Sequence, residues 1–409
     1  MRNLLRNSLD RPAADPRLWL LDRKITFLNH GSFGSCPRQV LDFQQAMRNR
    51  LERRPVEFLV RDLEPLLDDA RSELARFLKA DADDLVLVAN ATTGVNSVLR
   101  SLQFKRGDEL LVADHEYNAS RNALNFVAER AGARVVVARV PFFLRSPDQI
   151  VDAYLHEITP RTRLALLDHV TSQTGLVFPV ERLIQEFSRR GIDTLVDGAH
   201  APGMIPLNLK KLGATYYTGN CHKWLCAPKT AGFLHVQPDK QSAIRPLVIS
   251  HGANSRRTDR SRFLVEFGWT GTNDPSASLS VPEAMRYVAK LLPGGWPEVM
   301  RRNHALAVAA RKIICAALEI ELPCPDAMLG SMAAVPIPDV PCKATPKSPL
   351  FLDRLQDELL LDYSIEVPVI PWPGFPKRLL RISAQLYNSL PQYERLAKIL
   401  GHIPWKPPE

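Results

Sequence analysis

The sequence predicts an α/β fold: a large domain built on a mainly parallel, seven-stranded sheet, followed by a small α+β C-terminal domain. Three observations predict it. Between about residues 85 and 236, short apolar runs alternate with amphipathic or loop segments. A long helical stretch follows, with a mixed run of strand-like and helix-like segments after it. The chain has 409 residues, enough for one large and one small domain.

The seven runs are Leu85–Val88, Glu109–Ala113, Arg134–Val140, Leu164–Leu167, Thr194–Val196, Thr215–Tyr217 and Gly232–Val236. Runs of this length between helical stretches read as buried parallel strands with crossover helices. In such a sheet the ligand lies beyond the carboxyl ends of the strands. The stretch from Pro282 to about Glu319, with Leu306, Val308, Ala309, Ile313 and Ile314, reads as one long connector helix. Strands at Met332–Ile337, Ser364–Ile370 and Arg378–Ser383 and helices at about Pro349–Leu360 and Pro391–Leu400 then make the small domain. The boundaries expected are an N-terminal arm over 1–28, the large domain over 29–280, and connector plus small domain over 281–409.

Composition excludes several classes. No stretch of about 18 apolar residues exists, so no membrane partner is expected. The N-terminus is broken by Arg, Asn and Asp, unlike a secretory signal, and a cytoplasmic protein is expected. The six cysteines form no CxxC pair, which suggests neither zinc nor disulfides, and no metal site is expected. The net charge of +9 comes from scattered basic residues with no aromatic interleaving, so no nucleic acid partner is expected.

The segment Leu195–Leu225 carries the chemistry. It places Asp197 at the end of one strand and Asn220, His222 and Lys223 just after another, on the same face of a parallel sheet. An aldehyde cofactor needs a lysine to hold it and an acid to keep a ring nitrogen protonated. A second cluster, Ala89–Asn96, follows a strand and opens a helix. Free N–H groups at that position bind an anion, although a plain Thr N-cap reads the same way.

Asp-Gly-Ala-His, then a lysine 26 residues after the Asp inside Asn-Cys-His-Lys-Trp, resembles the class V aminotransferase signature. The following Ala-Pro-Lys resembles the isopenicillin N epimerase-like branch, and the likeness runs from Asn29 to about Asn388. The resemblance implies the fold-type I architecture, pyridoxal 5′-phosphate as cofactor, an amino acid substrate, and a homodimer with shared active sites. Lys223 would carry the cofactor and move the Cα proton, and Asp197 would pair with the ring nitrogen. His200 would meet the phenolic oxygen, and Asn220, His222, Thr92 and Thr93 the phosphate. Tyr117 would stack on the ring, with His115 in a supporting role. Thr171 and Ser172 would approach the ring oxygen or substrate. Thr272 would reach the phosphate of the partner subunit. Arg381 would bind the substrate carboxylate, whose charge and geometry suit a guanidinium, whereas Arg378 is expected as a surface charge. Asn29 and His30 would contact substrate.

The reaction is less determined than the cofactor. Epimerisation needs Lys223 on one face and a second donor, His30 or Tyr117, on the other. A C–S β-elimination needs only Lys223 and a leaving group. Cysteine desulfuration needs a loop thiol shortly before the carboxylate-binding arginine, and residues 344–380 contain none; Cys324 and Cys342 lie further upstream. Transamination and a non-catalytic, cofactor-binding scaffold complete the alternatives.

Overall fold

A computed structural model describes residues 8–339, 353–403 and 405. Its strands are β1 (Thr26–Phe27), β2 (Leu85–Val88), β3 (Glu109–Ala113), β4 (Arg134–Ala138), β5 (Thr162–Asp168), β6 (Asp193–Asp197), β7 (Tyr216–Asn220), β8 (Gly232–Val236), β9 (Met332–Ile337), β10 (Ile365–Glu366), β11 (Val369–Pro371) and β12 (Arg378–Ser383). The large sheet has seven strands in the order β2-β8-β7-β6-β5-β3-β4. β4, β3, β5, β6 and β7 run parallel, while β8 is antiparallel to both its neighbours.

Alternation along the strands divides the core into two layers. Leu111, Leu167, Val196 and Tyr217 point into one. Leu110, Leu166, Leu195 and Tyr216 point into the other. Both layers are covered, so the central strands read as unbroken apolar runs. Each fully buried leucine contributes roughly 1.5–3 kcal/mol of transfer free energy. The carboxyl ends of β3, β5, β6 and β7 open to one edge, where β5, β6 and β7 finish on polar side chains: Asp168, Asp197 and Asn220.

The connector is not one helix. Val281–Lys290 and Gly295–Ala317 are separate helices. Pro293 between them lacks a backbone donor, and Gly294 and Gly295 take positive φ (98° and 64°), which ends a right-handed helix. The expected strand Ser364–Ile370 is likewise two short pieces, β10 and β11, parted at Val367-Pro368. Pro368 cannot donate to a ladder. The Pro-Cys-Lys-Ala-Thr-Pro stretch, with Cys342, lies outside the described residues.

β9, β11 and β12 form an antiparallel sheet in the order β11-β12-β9. The helix Leu390–His402, started by a Ser389/Gln392 capping box, packs against Gly295–Ala317. Arg378 is not a surface charge. It is 9% exposed, and its Nη1 lies 2.7 Å from Asp353 Oδ1 in a buried ion pair. The N-terminal segment adds its own strand here: β1 pairs parallel with β10, Thr26 opposite Ile365. Among the described residues, no helix is long and apolar enough to cross a membrane.

Candidate active site

The sheet edge gathers three acids. Asp197 ends β6, with Oδ2 accepting from Ser120 Oγ at 2.7 Å and Oδ1 from the Ala199 amide at 3.0 Å. Burial raises its pKa, opposed by those two donors and by the charge of Lys223. Asp168 sits beside it in register on β5. Glu116 follows β3. Asp168 and Glu116 are buried facing each other, a carboxyl pair whose mutual hydrogen bond requires one of them to carry a proton. Burial, and then the neighbouring carboxylates, push both acids well above the usual range. Thus only Asp197 has donors on both oxygens to hold it charged.

β7 ends at Asn220, and the chain turns before β8. Asn220 Oδ1 accepts from the Ala91 amide at 2.8 Å, which ties this turn to the start of the helix Ala91–Ser101. Asn90 caps that helix through the Thr93 amide at 2.8 Å. The Thr92 amide has no partner among the described residues. Thr92 and Thr93 are half-buried at this first turn. His222 Nδ1 lies 3.2 Å from the Ala231 carbonyl and so closes the lysine turn.

That turn is held on both sides by glycines. A Cβ at Gly34 would strike the His222 carbonyl, and one at Gly203 the Trp224 carbonyl. Both take positive φ, 70° and 84°. Lys223 keeps some surface toward the site, but its amine lies deep enough that burial, then the Arg381 charge, lowers its pKa to about 7. Asp197 and Asp168 oppose this shift from a distance, and no salt bridge to Lys223 exists among the described residues. Lys223 Nζ lies 3.0 Å from His200 Nε2, and His200 Nδ1 accepts from Trp224 Nε1 at 3.4 Å.

Arg381, on β12, is 3% exposed. Its Nη1 donates to the Ser172 carbonyl at 2.6 Å and its Nη2 to Ser32 Oγ at 2.7 Å and Asn29 Oδ1 at 3.4 Å. Its Nε is buried with no partner. Among the described residues no carboxylate pairs with it, and burial lowers its pKa to about 10. Asn29, Ser172 and Arg381, distant in sequence, therefore meet at one point.

Other expected residues fall differently. His30 is fully buried: its Nδ1 is 2.8 Å from Tyr387 Oη and its Nε2 3.0 Å from the Lys223 carbonyl. A carbonyl only accepts, so Nε2 carries the proton and Nδ1 accepts from the tyrosine. Burial holds this ring neutral, with a pKa of about 3. Here it braces the lysine turn, with both ring nitrogens bonded within the protein. Thr171 is also fully buried, its hydroxyl 2.6 Å from Thr174 Oγ1 and accepting from the Leu176 amide. It shapes its own turn, and Thr174 continues to His115 Nδ1 at 2.9 Å. Tyr117, just before the helix Asn118–Ala131, is 41% exposed. Thr272 stands exposed in a turn with Gly271.

The residues missed in the sequence are Ser120, Asp168, Glu116 and Trp224. Asp168 had a signal, an acid closing an apolar strand. Ser120 had none, because its contact with Asp197 spans 77 residues.

Fold and site together define a class: α/β enzymes that carry an aldehyde cofactor on a deep-set lysine. The sequence pattern of the Aminotransferase class-V family matches residues 37–348, and the chain belongs to that family. It is 38% identical over 397 residues to an isopenicillin N epimerase of Amycolatopsis lactamdurans, covering 94% of this chain and 96% of that one. It is 32% identical to a probable chloroplastic L-cysteine desulfhydrase of Arabidopsis thaliana, covering 93% and 83%. The fold resembles the cystine C–S lyase C-DES, in complex with its product cysteine persulfide, with a TM-score of 0.76 at 22% identity over 93% and 98% of the two chains. The cofactor is pyridoxal 5′-phosphate. The residues present fit it: a lysine with a lowered pKa, a buried acid with two donors, and a helix start with an unpartnered Thr92 amide.

The lowered pKa makes a prediction about cofactor loading. Lys223 is predominantly neutral above about pH 7, and only the neutral amine attacks an aldehyde. Mixing cofactor-free protein with pyridoxal phosphate should colour faster as pH rises, half-maximally near pH 7. A midpoint above 9 would show an ordinary lysine.

Proposed function

We propose that the protein removes the Cα proton of an amino acid whose carboxylate is bound by Arg381. The observation that carries this is the unpaired guanidinium. A buried cation without a carboxylate is costly, and here its neighbours are neutral oxygens, with Nε left open. A ligand carboxylate completes the set. When bound, pyridoxal phosphate supplies the electron sink that makes the Cα proton removable. Lys223 would take the proton, Asp197 would pair with the ring nitrogen, and His200 would meet the phenolic oxygen. Tyr117 would cover the ring, while Thr92, Thr93, Asn220 and His222 would hold the phosphate.

C–S β-elimination asks nothing more of this chain. With His30 locked as a brace, epimerisation leaves Tyr117 as its second-face donor. The likeness to isopenicillin N epimerase supports this second reading. Desulfuration is disfavoured: Cys324 is buried and its sulfur accepts from Arg311 Nη1 at 3.2 Å.

A homodimer belongs to the same reading. A groove of about 740 Å³ runs beside Thr93, lined by Leu59, Val60, Leu63, Val248 and Trp269. Val60 and Val248 are 76% and 57% exposed, and a second copy would cover them and bring the partner's turn containing Thr272 toward the phosphate.

Three measurements test these points. Arg381→Ala should keep cofactor colour but weaken amino acid binding about 30- to 5,000-fold, the loss of a buried charge-paired contact; unchanged affinity refutes the assignment. Sedimentation should give a dimer at micromolar concentration that Val60→Asp splits; a fully active monomer refutes the shared site. In deuterated water, S-substituted cysteines should give a keto acid and free thiol. Inverted product deuterated at Cα, without elimination, would select epimerisation instead.

A further inference from the structure

We propose that Trp224 is a positioning residue: its indole N–H fixes His200 as the tautomer protonated at Nε2, so that His200 acts as a hydrogen-bond donor toward Lys223. An indole nitrogen only donates. Trp224 Nε1 lies 3.4 Å from His200 Nδ1, so Nδ1 presents a lone pair. A neutral imidazole then carries its proton on Nε2, which lies 3.0 Å from Lys223 Nζ. That proton needs an acceptor, and a neutral amine supplies one.

The alternative tautomer sets N–H against N–H at Nδ1 and offers Nε2 to a lysine ammonium. A doubly protonated ring makes the same clash beside Lys223 and Arg381, in a site where burial already holds His200 neutral. The charges of Lys223, Arg381, His222 and His30 all oppose a proton on His200.

The indole has little freedom to turn away. Trp224 is 1% exposed, its carbonyl is packed under Gly203, and its ring meets that of His30 at 4.9 Å between centroids. Being next in the chain to Lys223, it is placed by the same turn that places the amine. Where the cofactor reading above holds, the Nε2–H is also the group offered to the ring's phenolic oxygen, which a lone pair would repel.

The test uses full-length protein labelled with ¹⁵N in histidine, observed before and after loading with pyridoxal phosphate. His200, assigned by loss of its signal in His200→Gln, should show a protonated Nε2 and an unprotonated Nδ1. In Trp224→Phe, which keeps the ring and removes the N–H, that preference should weaken. The pH midpoint of colour formation should rise by about half to one unit. A wild-type His200 protonated at Nδ1 overturns the proposal even if the variant fails to fold. So does a Trp224→Phe protein with unchanged tautomer and midpoint. The histidine signal of cofactor-free protein is independent of the cofactor reading, whereas a colourless protein after loading overturns that reading and leaves the tautomer result standing.

Discussion

The site depends on burying two basic groups close together, with no acid among the described residues bound to either. Lys223 responds by giving up its proton more readily, its pKa falling to about 7. Arg381 is lowered too, to about 10, and remains a cation wrapped in a carbonyl, a hydroxyl and an amide oxygen. The division follows from the starting points: a guanidinium begins about two units above an ammonium, so similar burial leaves only the guanidinium charged at neutral pH. One buried environment thus yields a nucleophilic amine and a fixed positive charge side by side.

The acids are arranged to match. Three carboxyl groups share the strand ends, but only Asp197 has donors on both oxygens. Glu116 and Asp168 lie deep against each other, and burial favours their protonated forms. Among the three, Asp197 is the carboxyl whose two donors oppose the effect of burial.

Most of the fold was legible in the sequence because each strand of the large sheet is locally coded. Leu85–Val88, Glu109–Ala113 and Gly232–Val236 were read to the residue, since strands covered on both faces are mostly apolar. Asp197 and Lys223 were legible because their motif is compact. The connector break was written in Pro293-Gly294-Gly295 but was overridden by the apolar periodicity on either side. What stayed hidden was chosen by the tertiary fold. The same histidine letters serve as brace (His30) or as lysine partner (His200), according to residues up to 357 positions away. Arg378 and Arg381 sit three apart on one strand, yet one meets Asp353 and the other no acid among the described residues; nothing local separates them.

The segment from β1 to Gly34 crosses the molecule. At one end β1 pairs with β10 of the C-terminal region, and Asn29 and Ser32 hold Arg381. At the other, His30 grips the Lys223 carbonyl and Gly34 lies against His222. These nine residues form a rivet through two plates. A movement of the β9-β11-β12 sheet about this rivet would strain the backbone around Lys223. The spacing between the Arg381 guanidinium and the Lys223 amine is thus gauged by a single short stretch of chain, and a change in its length would reset the distance between the two.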